Sequence, residues 1–376
     1  MSTYEKITKL SDILEQLAEG LDIPESKYLE AKKRYETVGE WLGKDDSILS
    51  IYKPEIYPQG SFCLGTVVKP ISNRDEYDID LVCYLSELKK QNTSQLALKK
   101  MVGDRLYEND TYKRLLDKEG SRCWTLNYAN EFHMDILPAI PDEDISMRGG
   151  LYTDAVLITD KKKIENKDPE WPKSNPLGYA KWFKSRQEVV FATLRKQLAE
   201  VAKASVDEIP EYRVKTPLQR AIQILKRHRD IYFSTKNIDH KPISIIITTL
   251  SAILYNGQSD VYNAIYNIII GLNENVVVKT GKFYIPNPVN PEENFADKWN
   301  EDASLPKAFI EWVNEARNTF VSNILEKADT ERGQRLEESL GIKLSDNQSP
   351  KTSPVGPVYV KVNTTQERRP WGSECV

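Results

Sequence analysis

The chain opens with a helical pattern of apolar residues. Leu10, Leu14 and Leu17 lie at i, i+4 and i+7, which places them on one face of a helix. A turn at residues 23–26 separates this run from a second helical run. We therefore predict two N-terminal helices within residues 4–45, which brace the rest of the molecule.

The next part of the chain has a different pattern. From Ile51 to Val82, short apolar runs alternate with Gly, Pro, Asn and Asp, which is typical of strands and turns. A helical pattern returns over residues 86–118. Further strands are predicted for three apolar segments: 123–128, 132–137 and 155–158. Residues 46–170 are therefore expected to form a mixed α/β unit.

From residue 171 onward the pattern is almost entirely helical. Thr216 and Pro217 form a favourable helix start, with Thr as the N-cap and Pro at the first helical position, for a helix that runs to about Phe233. Other helices are predicted over four segments: 184–203, 243–256, 260–272 and 304–326, the last capped by Ser304. We expect a helical lobe over residues 171–344 and a flexible tail over residues 345–376.

Composition narrows the class of protein. The 376 residues include 40% hydrophobic residues and carry a formal net charge of -4, so wholesale disorder is excluded and a stable nucleic-acid partner is not expected. The sequence contains no 18-residue apolar run and no signal-peptide core, which predicts no membrane contact. The four cysteines lack CxxC spacing, which argues against a zinc site and indicates a reducing cytoplasm.

Two carboxylates occupy alternate positions of one predicted strand. Asp78 and Asp80 flank Ile79, so they project from one face while the apolar residues face the core. Carboxylates held close together repel each other unless a cation lies between them, and Mg²⁺ or Mn²⁺ is the natural occupant. The alternative is an exposed polar edge of the sheet.

A short glycine-containing stretch precedes these carboxylates. In Gln59-Gly60-Ser61 the glycine permits a tight turn, and the serine hydroxyl lies beside exposed backbone N–H groups. We interpret these three residues as a phosphate-binding turn. The alternative is an ordinary Gly-Ser turn.

Asp135 is a third carboxylate on a predicted strand with apolar neighbours, where an unpaired charge is costly. The alternative is an aspartate that caps a turn. Together, Asp78, Asp80 and Asp135 could hold two divalent ions for an in-line displacement at a nucleotide α-phosphate. Asp135 would accept the proton of the attacking hydroxyl, and pyrophosphate would leave.

The motif G-S-x-x-x-G-T, followed by alternating aspartates and a third Asp, resembles the polymerase-β-like nucleotidyltransferase superfamily. More narrowly, the chain is similar to the bacterial CD-NTases, relatives of cyclic GMP-AMP synthase that act in CBASS anti-phage defence. Further stretches that match this family cover residues 174–183, 218–230, 241–244 and 287–299. The resemblance implies a nucleotidyltransferase core with a mixed sheet and a helical second lobe.

The resemblance also implies an activity and partners. The enzyme would join NTPs, ATP among them, into a cyclic di- or trinucleotide that activates a separate effector not bound directly. Lys226 matches a lysine that contacts the triphosphate, although a solvated helix face is the alternative. Ser244 begins an apolar helix, where a hydroxyl and free N–H groups suit a phosphate, although a simple cap would look the same. CBASS accessory proteins, including one that conjugates the C-terminal segment 371–376, are further expected partners.

Two other functions are compatible with the same motifs. A related nucleotidyltransferase could act on RNA ends or on a small-molecule acceptor, but the net charge of -4 and the lack of a basic RNA-binding module count against it. A nucleotide-binding sensor without turnover would be expected to lack one of the aspartates, and all three are present.

Overall fold

The two N-terminal helices connect the two lobes of the molecule. The computed structural model describes residues 2–72, 76–128, 132–236, 238–272, 274–279 and 281–344. Helix α1 (Thr3–Glu19) buries its leucines in the core of the helical lobe. Helix α2 (Glu25–Gly43) buries Val38 and Leu42 in the core of the sheet lobe instead. The predicted tail and the predicted conjugation segment lie outside the described residues.

The sheet of the first lobe has six strands. They are β1 (Pro54–Gln59), β2 (Tyr77–Leu85), β3 (Trp124–Tyr128), β4 (Phe132–Pro141), β5 (Val156–Ile158) and β6 (Lys173–Ser174). The order is β1-β2-β4-β5-β6, and β3 pairs with the first half of β4. Strands β2 and β4 are parallel and the other pairs are antiparallel, so the sheet is mixed, as the family resemblance implies.

One face of this sheet packs on helices and the other faces the second lobe. Helices of this lobe are α3 (Gly60–Leu64), α4 (Gln95–Tyr107), α5 (Asp110–Leu115), α6 (Glu143–Ser146) and α7 (Lys161–Glu165). Ile79, Leu81 and Met134 lie in the buried core. Because side chains alternate along a strand, Asp78, Asp80 and Asp135 project from the opposite face.

The second lobe surrounds one central helix. Its helices are α8 (Pro176–Ala202), α9 (Pro217–Phe233), α10 (Ser244–Leu254), α11 (Val261–Gly271), α12 (Ser304–Phe320) and α13 (Asp329–Leu340). Its short strands are β7 (Val277–Lys279), β8 (Lys282–Tyr284), β9 (Pro286–Asn287) and β10 (Asn290–Asn294). Helix α9 is buried on nearly every side, including its polar residues. No described helix combines the length and apolar character needed to cross a bilayer.

Three helix boundaries differ from the predictions. Helix α8 begins at Pro176 rather than residue 184, because Asn175 caps it by accepting the N–H of Gly178 at 2.9 Å. Ser304 is the first residue of α12 and not its cap. Helix α12 ends at Phe320, and α13 follows as a separate helix that the periodicity did not reveal.

We predict that Arg220→Met lowers the free energy of unfolding by about 2–3 kcal/mol. Buried Arg220 donates from Nε to Glu15 at 2.8 Å and from Nη1 to Asp22 at 2.8 Å, which fastens α1 to α9. Arg213→Met is the matched control, because Arg213 pairs with Glu25 on the surface and should leave the unfolding midpoint unchanged. Equal effects of the two variants in urea titrations would contradict this role for Arg220.

Candidate active site

Four strands place one polar row across the open face of the sheet. In the strand registers, Gln59 of β1 is opposite Asp80 of β2, and Asp80 is opposite Asp135 of β4. Thr125 of β3 is opposite Asp135 and donates its hydroxyl to Asp135 Oδ1 at 2.5 Å. Asp78 lies two residues before Asp80 on the same face. The structure therefore brings the three predicted carboxylates together with Gln59.

The pKa values of Asp78 and Asp80 are both raised in this row. Burial raises the pKa of Asp80 to about 7, and the nearby charges of Asp135 and Asp78 add to this rise. Burial also raises the pKa of Asp78, with a further contribution from Asp135, while the charge of Lys241 opposes it. Such a cluster is stabilised when a cation neutralises its charge.

The donor chemistry of this row fits a hard divalent cation. All three carboxylates offer oxygen ligands, which Mg²⁺ and Mn²⁺ prefer. Within the described residues, no three acidic, His or Cys side chains are already drawn together at metal-binding geometry. The hydrogen bond from Thr125 occupies Asp135 Oδ1. The residues thus have the donor chemistry that a divalent cation requires, and metal binding by them stays a prediction.

The predicted phosphate-binding turn forms the start of α3, directly beside Asp80. Gly60 has φ +61°, and a Cβ at this position would collide with Asp80 Oδ2. Only glycine fits this combination of conformation and close approach. Ser61 follows in the first turn of α3, and within the described part of the chain its hydroxyl makes no hydrogen bond. Gln59 and Gly60 therefore border the carboxylate row, and phosphate binding by this turn stays a prediction.

Helix α9 holds the segment that follows α3. We call residues 64–69 the loop segment. Side chains at the start and along one face of α9 donate to its backbone carbonyls: Gln219 to Leu64 at 2.9 Å, Lys215 to Gly65 at 2.7 Å, Lys226 to Thr66 at 3.3 Å, Gln223 to Val67 at 2.8 Å, and Arg227 to Lys69. The polar face of α9 is thus occupied by these contacts. It is not exposed to solvent, and it is not open to the cleft along its whole length.

Lys226 lies behind the loop segment. Its Nζ also contacts Thr66 Oγ1 at 3.3 Å, and the side chain is buried. Burial lowers the pKa of Lys226 to about 7, with Arg229 adding to this effect and Asp230 and Asp80 opposing it. The lysine therefore lies within electrostatic reach of Asp80, while direct contact with a triphosphate stays a prediction.

Ser244 is the first residue of α10, as predicted, and belongs to a cationic edge. Its Oγ accepts from Arg229 Nη1 at 3.0 Å, and the same nitrogen donates to the Pro242 carbonyl at 2.8 Å. Lys241 pairs with Asp230 at 3.3 Å. Sequence reasoning assigned no role to Arg229 or Lys241. The sequence signal that could have revealed this edge was the dense run of charges at residues 226–230, which lies within a helix that is otherwise expected to be buried.

His133 lies opposite Asp78 in the register of β2 and β4. Its Nε2 pairs with Glu76 Oε2 at 2.6 Å, so a neighbouring side chain of the sheet lobe holds this histidine. A separate cavity of about 910 Å³ lies behind α3 and is lined by residues such as Phe62, Phe183 and Lys215. None of the three aspartates lines this cavity, so it is distinct from the candidate site.

Residues 54–138 match the family model described as cyclic GMP-AMP synthase DncV-like, nucleotidyltransferase domain. A c-di-GMP synthase of Roseivirga ehrenbergii is 35% identical over 318 residues, which cover 83% of this chain and 79% of the relative. The chain belongs to the CD-NTase family. The predicted family and the assignment as a nucleotidyltransferase are therefore confirmed.

Other CD-NTases are more distant. The cyclic dinucleotide synthase CdnG of Bradyrhizobium diazoefficiens is 26% identical over 316 residues, which cover 78% of this chain and 70% of the relative. The solved structure of the B. diazoefficiens CD-NTase CdnG in complex with GTP superposes with a TM-score of 0.66 at 21% identity, covering 88% of this chain and 98% of that chain. This likeness confirms the predicted fold of a nucleotidyltransferase core with a helical second lobe.

We predict that Gly60→Ala lowers kcat/KM for this nucleotidyltransferase by more than about 100-fold. The added methyl would displace the Asp80 carboxylate and strain the turn that leads into α3. Gly149→Ala is a matched control, because Gly149 also has positive φ (+70°) and its added Cβ would meet nothing within 4 Å. Steady-state kinetics that show equal losses in both variants would contradict a specific role for the contact.

We predict that Gln219→Met raises KM for NTP by about 5- to 10-fold, with a smaller effect on kcat. Methionine fills the space but cannot donate to the Leu64 carbonyl, so α3 is held less firmly. The control is Gln95→Met, since buried Gln95 makes an equivalent hydrogen bond to the Glu170 carbonyl at 3.0 Å away from the site. An unchanged KM in Gln219→Met would show that α9 does not position the phosphate-binding turn.

Proposed function

We propose that this protein condenses two nucleoside triphosphates into a cyclic dinucleotide, with GTP as a substrate. The observation that carries the proposal is the register that places Asp78, Asp80 and Asp135 in one cluster beside Gly60 and Ser61. The printed names of the relatives, a c-di-GMP synthase and a cyclic dinucleotide synthase, support the choice of product class and of GTP.

In this proposal, Asp78, Asp80 and Asp135 would hold two Mg²⁺ or Mn²⁺ ions. When bound, these ions would supply Lewis-acid stabilisation of the charge on the attacking and leaving oxygens. Asp135 accepts the proton of the attacking ribose hydroxyl, a new bond forms between that oxygen and the α-phosphorus, and the bond to pyrophosphate breaks. Thr125 orients Asp135 for this step through its hydrogen bond.

The substrate's triphosphate would lie between α3 and the cationic edge of the second lobe. Ser61 and the free N–H groups at the start of α3 donate to phosphate oxygens. Lys226 and Lys241 add positive charge near the carboxylate row, where Lys226 lowers the pKa of Asp80 and Lys241 lowers that of Asp78 against the effect of burial. Ser244 donates to phosphate from the start of α10. These side chains balance charge that would otherwise oppose the approach of the nucleotide.

Ring closure requires the same chemistry twice. After the first phosphodiester bond forms, the linear intermediate turns so that its remaining hydroxyl faces the second α-phosphate. We propose that the product acts as a second messenger in anti-phage defence and activates a separate effector. For comparison, the Escherichia coli MS115-1 protein CdnC, which shares the fold at a TM-score of 0.58 and 14% identity, was solved in complex with HORMA-deltaN.

We predict that the purified full chain with GTP and Mg²⁺ or Mn²⁺ yields a phosphatase-resistant cyclic di-GMP. Mass spectrometry after incubation with all four NTPs, and with each alone, identifies the bases that are used. Asp80→Asn should lower product formation by more than about 100-fold, because a carboxylate that would hold the ions is lost.

Asp104→Asn is the matched control, since Asp104 is exposed on α4, away from the carboxylate row. It should retain full activity. A product that is sensitive to phosphatase, or full activity in Asp80→Asn with folding intact by circular dichroism, would contradict the proposed reaction.

A further inference from the structure

The cavity behind α3 follows one face of helix α8. Its volume of about 910 Å³ is within the range of sites that hold a small molecule. Its lining includes five apolar residues: Phe191, Leu198, Val201 and Ala202 of α8, and Ile209 of the segment that follows. The four helix positions lie on one side of α8, and at about 1.5 Å per residue they extend over about 16 Å. This part of the cavity is therefore an elongated apolar groove.

A buried amide borders this groove. Gln187 lies on α8 one turn before Phe191, lines the cavity and is only 6% exposed. Its Oε1 accepts the hydroxyl of Thr216. Its Nε2 donates to none of the residues that the structure describes, and it is not enclosed by protein. Because a buried donor without a partner is costly, this position favours a ligand that carries an acceptor.

Lys215 brings a positive charge to the same place. It directly precedes Thr216, the residue that contacts Gln187, and it lines the same cavity. Its Nζ donates to the Gly65 carbonyl at 2.7 Å, and an ammonium group has two further donors. Within the described ranges, no carboxylate lies at ion-pair distance from Lys215. Burial lowers the pKa of Lys215 to about 8, although the charge of Asp22 opposes this effect.

The other cationic side chains around the cavity already have carboxylate partners. They pair as follows: Lys181 with Asp154 at 2.5 Å, Lys184 with Glu211 at 3.3 Å, Arg213 with Glu25 at 2.6 Å, and Arg220 with Asp22 at 2.8 Å. Among the residues that the structure describes, Lys215 is thus the one cation of the lining that lacks such a partner. The cavity therefore complements a single negative charge.

We propose that this groove binds a fatty acid, with its carboxylate at Lys215 and Gln187 and its acyl chain directed along α8 toward Ala202. The carboxylate accepts from Lys215 Nζ and from Gln187 Nε2, which satisfies both donors. The acyl chain covers apolar surface of α8 and Ile209 that is otherwise in contact with water. The inference does not depend on the proposed reaction, because none of the three aspartates lines the cavity.

The first test uses the unaltered full chain without nucleotide. Calorimetry measures the binding of octanoic, decanoic and dodecanoic acid, and of decanol, each below its solubility limit. Affinity should rise about two- to fourfold for each added methylene, because each one buries further apolar surface. Decanol lacks the charge and should bind at least about tenfold more weakly than decanoic acid. Equal affinities among the three acids, equal affinities of decanol and decanoic acid, or no saturable binding would overturn the proposal.

The second test removes the positive charge. Lys215→Met should weaken the binding of decanoic acid by at least about tenfold and leave the binding of decanol within about twofold. Lys184→Met is the matched control, because Lys184 lines the same cavity but pairs with Glu211, and the affinity for decanoic acid should stay within about twofold. Unchanged binding of decanoic acid in Lys215→Met, or an equal loss for decanol, would contradict a contact that is specific to the charge.

The third test locates the acyl chain. Val201 and Val189 are both exposed residues of α8, at 59% and 65%, but only Val201 lines the groove, and Val189 lies on the opposite face of the helix. Val201→Glu places a charge on the path of the chain and should weaken the binding of dodecanoic acid by about tenfold. Val189→Glu should retain the affinity of the unaltered protein. Equal affinities of the two variants would contradict this path.

Discussion

Helix α9 holds the loop segment, residues 64–69, through side-chain hydrogen bonds to backbone carbonyls, and the candidate site depends on this contact. Those carbonyls would otherwise be buried without partners, which is costly. Gln219, Gln223 and Lys226 satisfy them from one face of the helix. The contact joins the two lobes at the point where α3 meets Asp80, so a nucleotide bound at α3 as we propose would be held by both lobes at once.

The strand register of the sheet is the second constraint on the candidate site. Because β2 and β4 are parallel neighbours in register, Asp80 and Asp135 are side by side, and Asp78 follows on the same face. Burial and the neighbouring carboxylates disfavour the charged states of Asp78 and Asp80 unless a cation is present. Apolar residues at the same positions would pack without this electrostatic cost. The presence of carboxylates there therefore indicates that the row has a chemical function. Gly60 completes the arrangement by allowing the backbone to approach Asp80.

Much of this arrangement could be predicted from the sequence because it follows from local periodicity. Alternation along one strand placed Asp78 and Asp80 together, and the mixed α/β unit and helical lobe followed from apolar spacing. The partners of Lys226 could not be predicted, since a polar helix face can be directed to solvent, ligand or backbone with the same spacing. Helix α8 begins early because Asn175 caps it, a contact that periodicity does not register.

The central claim is that the carboxylate row and α3 serve a reaction that closes a ring from two nucleotides. Phosphorus NMR of a reaction with GTP follows every phosphate at once. The account predicts that the triphosphate signals disappear while phosphodiester and pyrophosphate signals grow together, with one pyrophosphate for each phosphodiester and no triphosphate left on the product. A product that retains a terminal triphosphate, or GTP that is consumed without phosphodiester formation, would contradict the account.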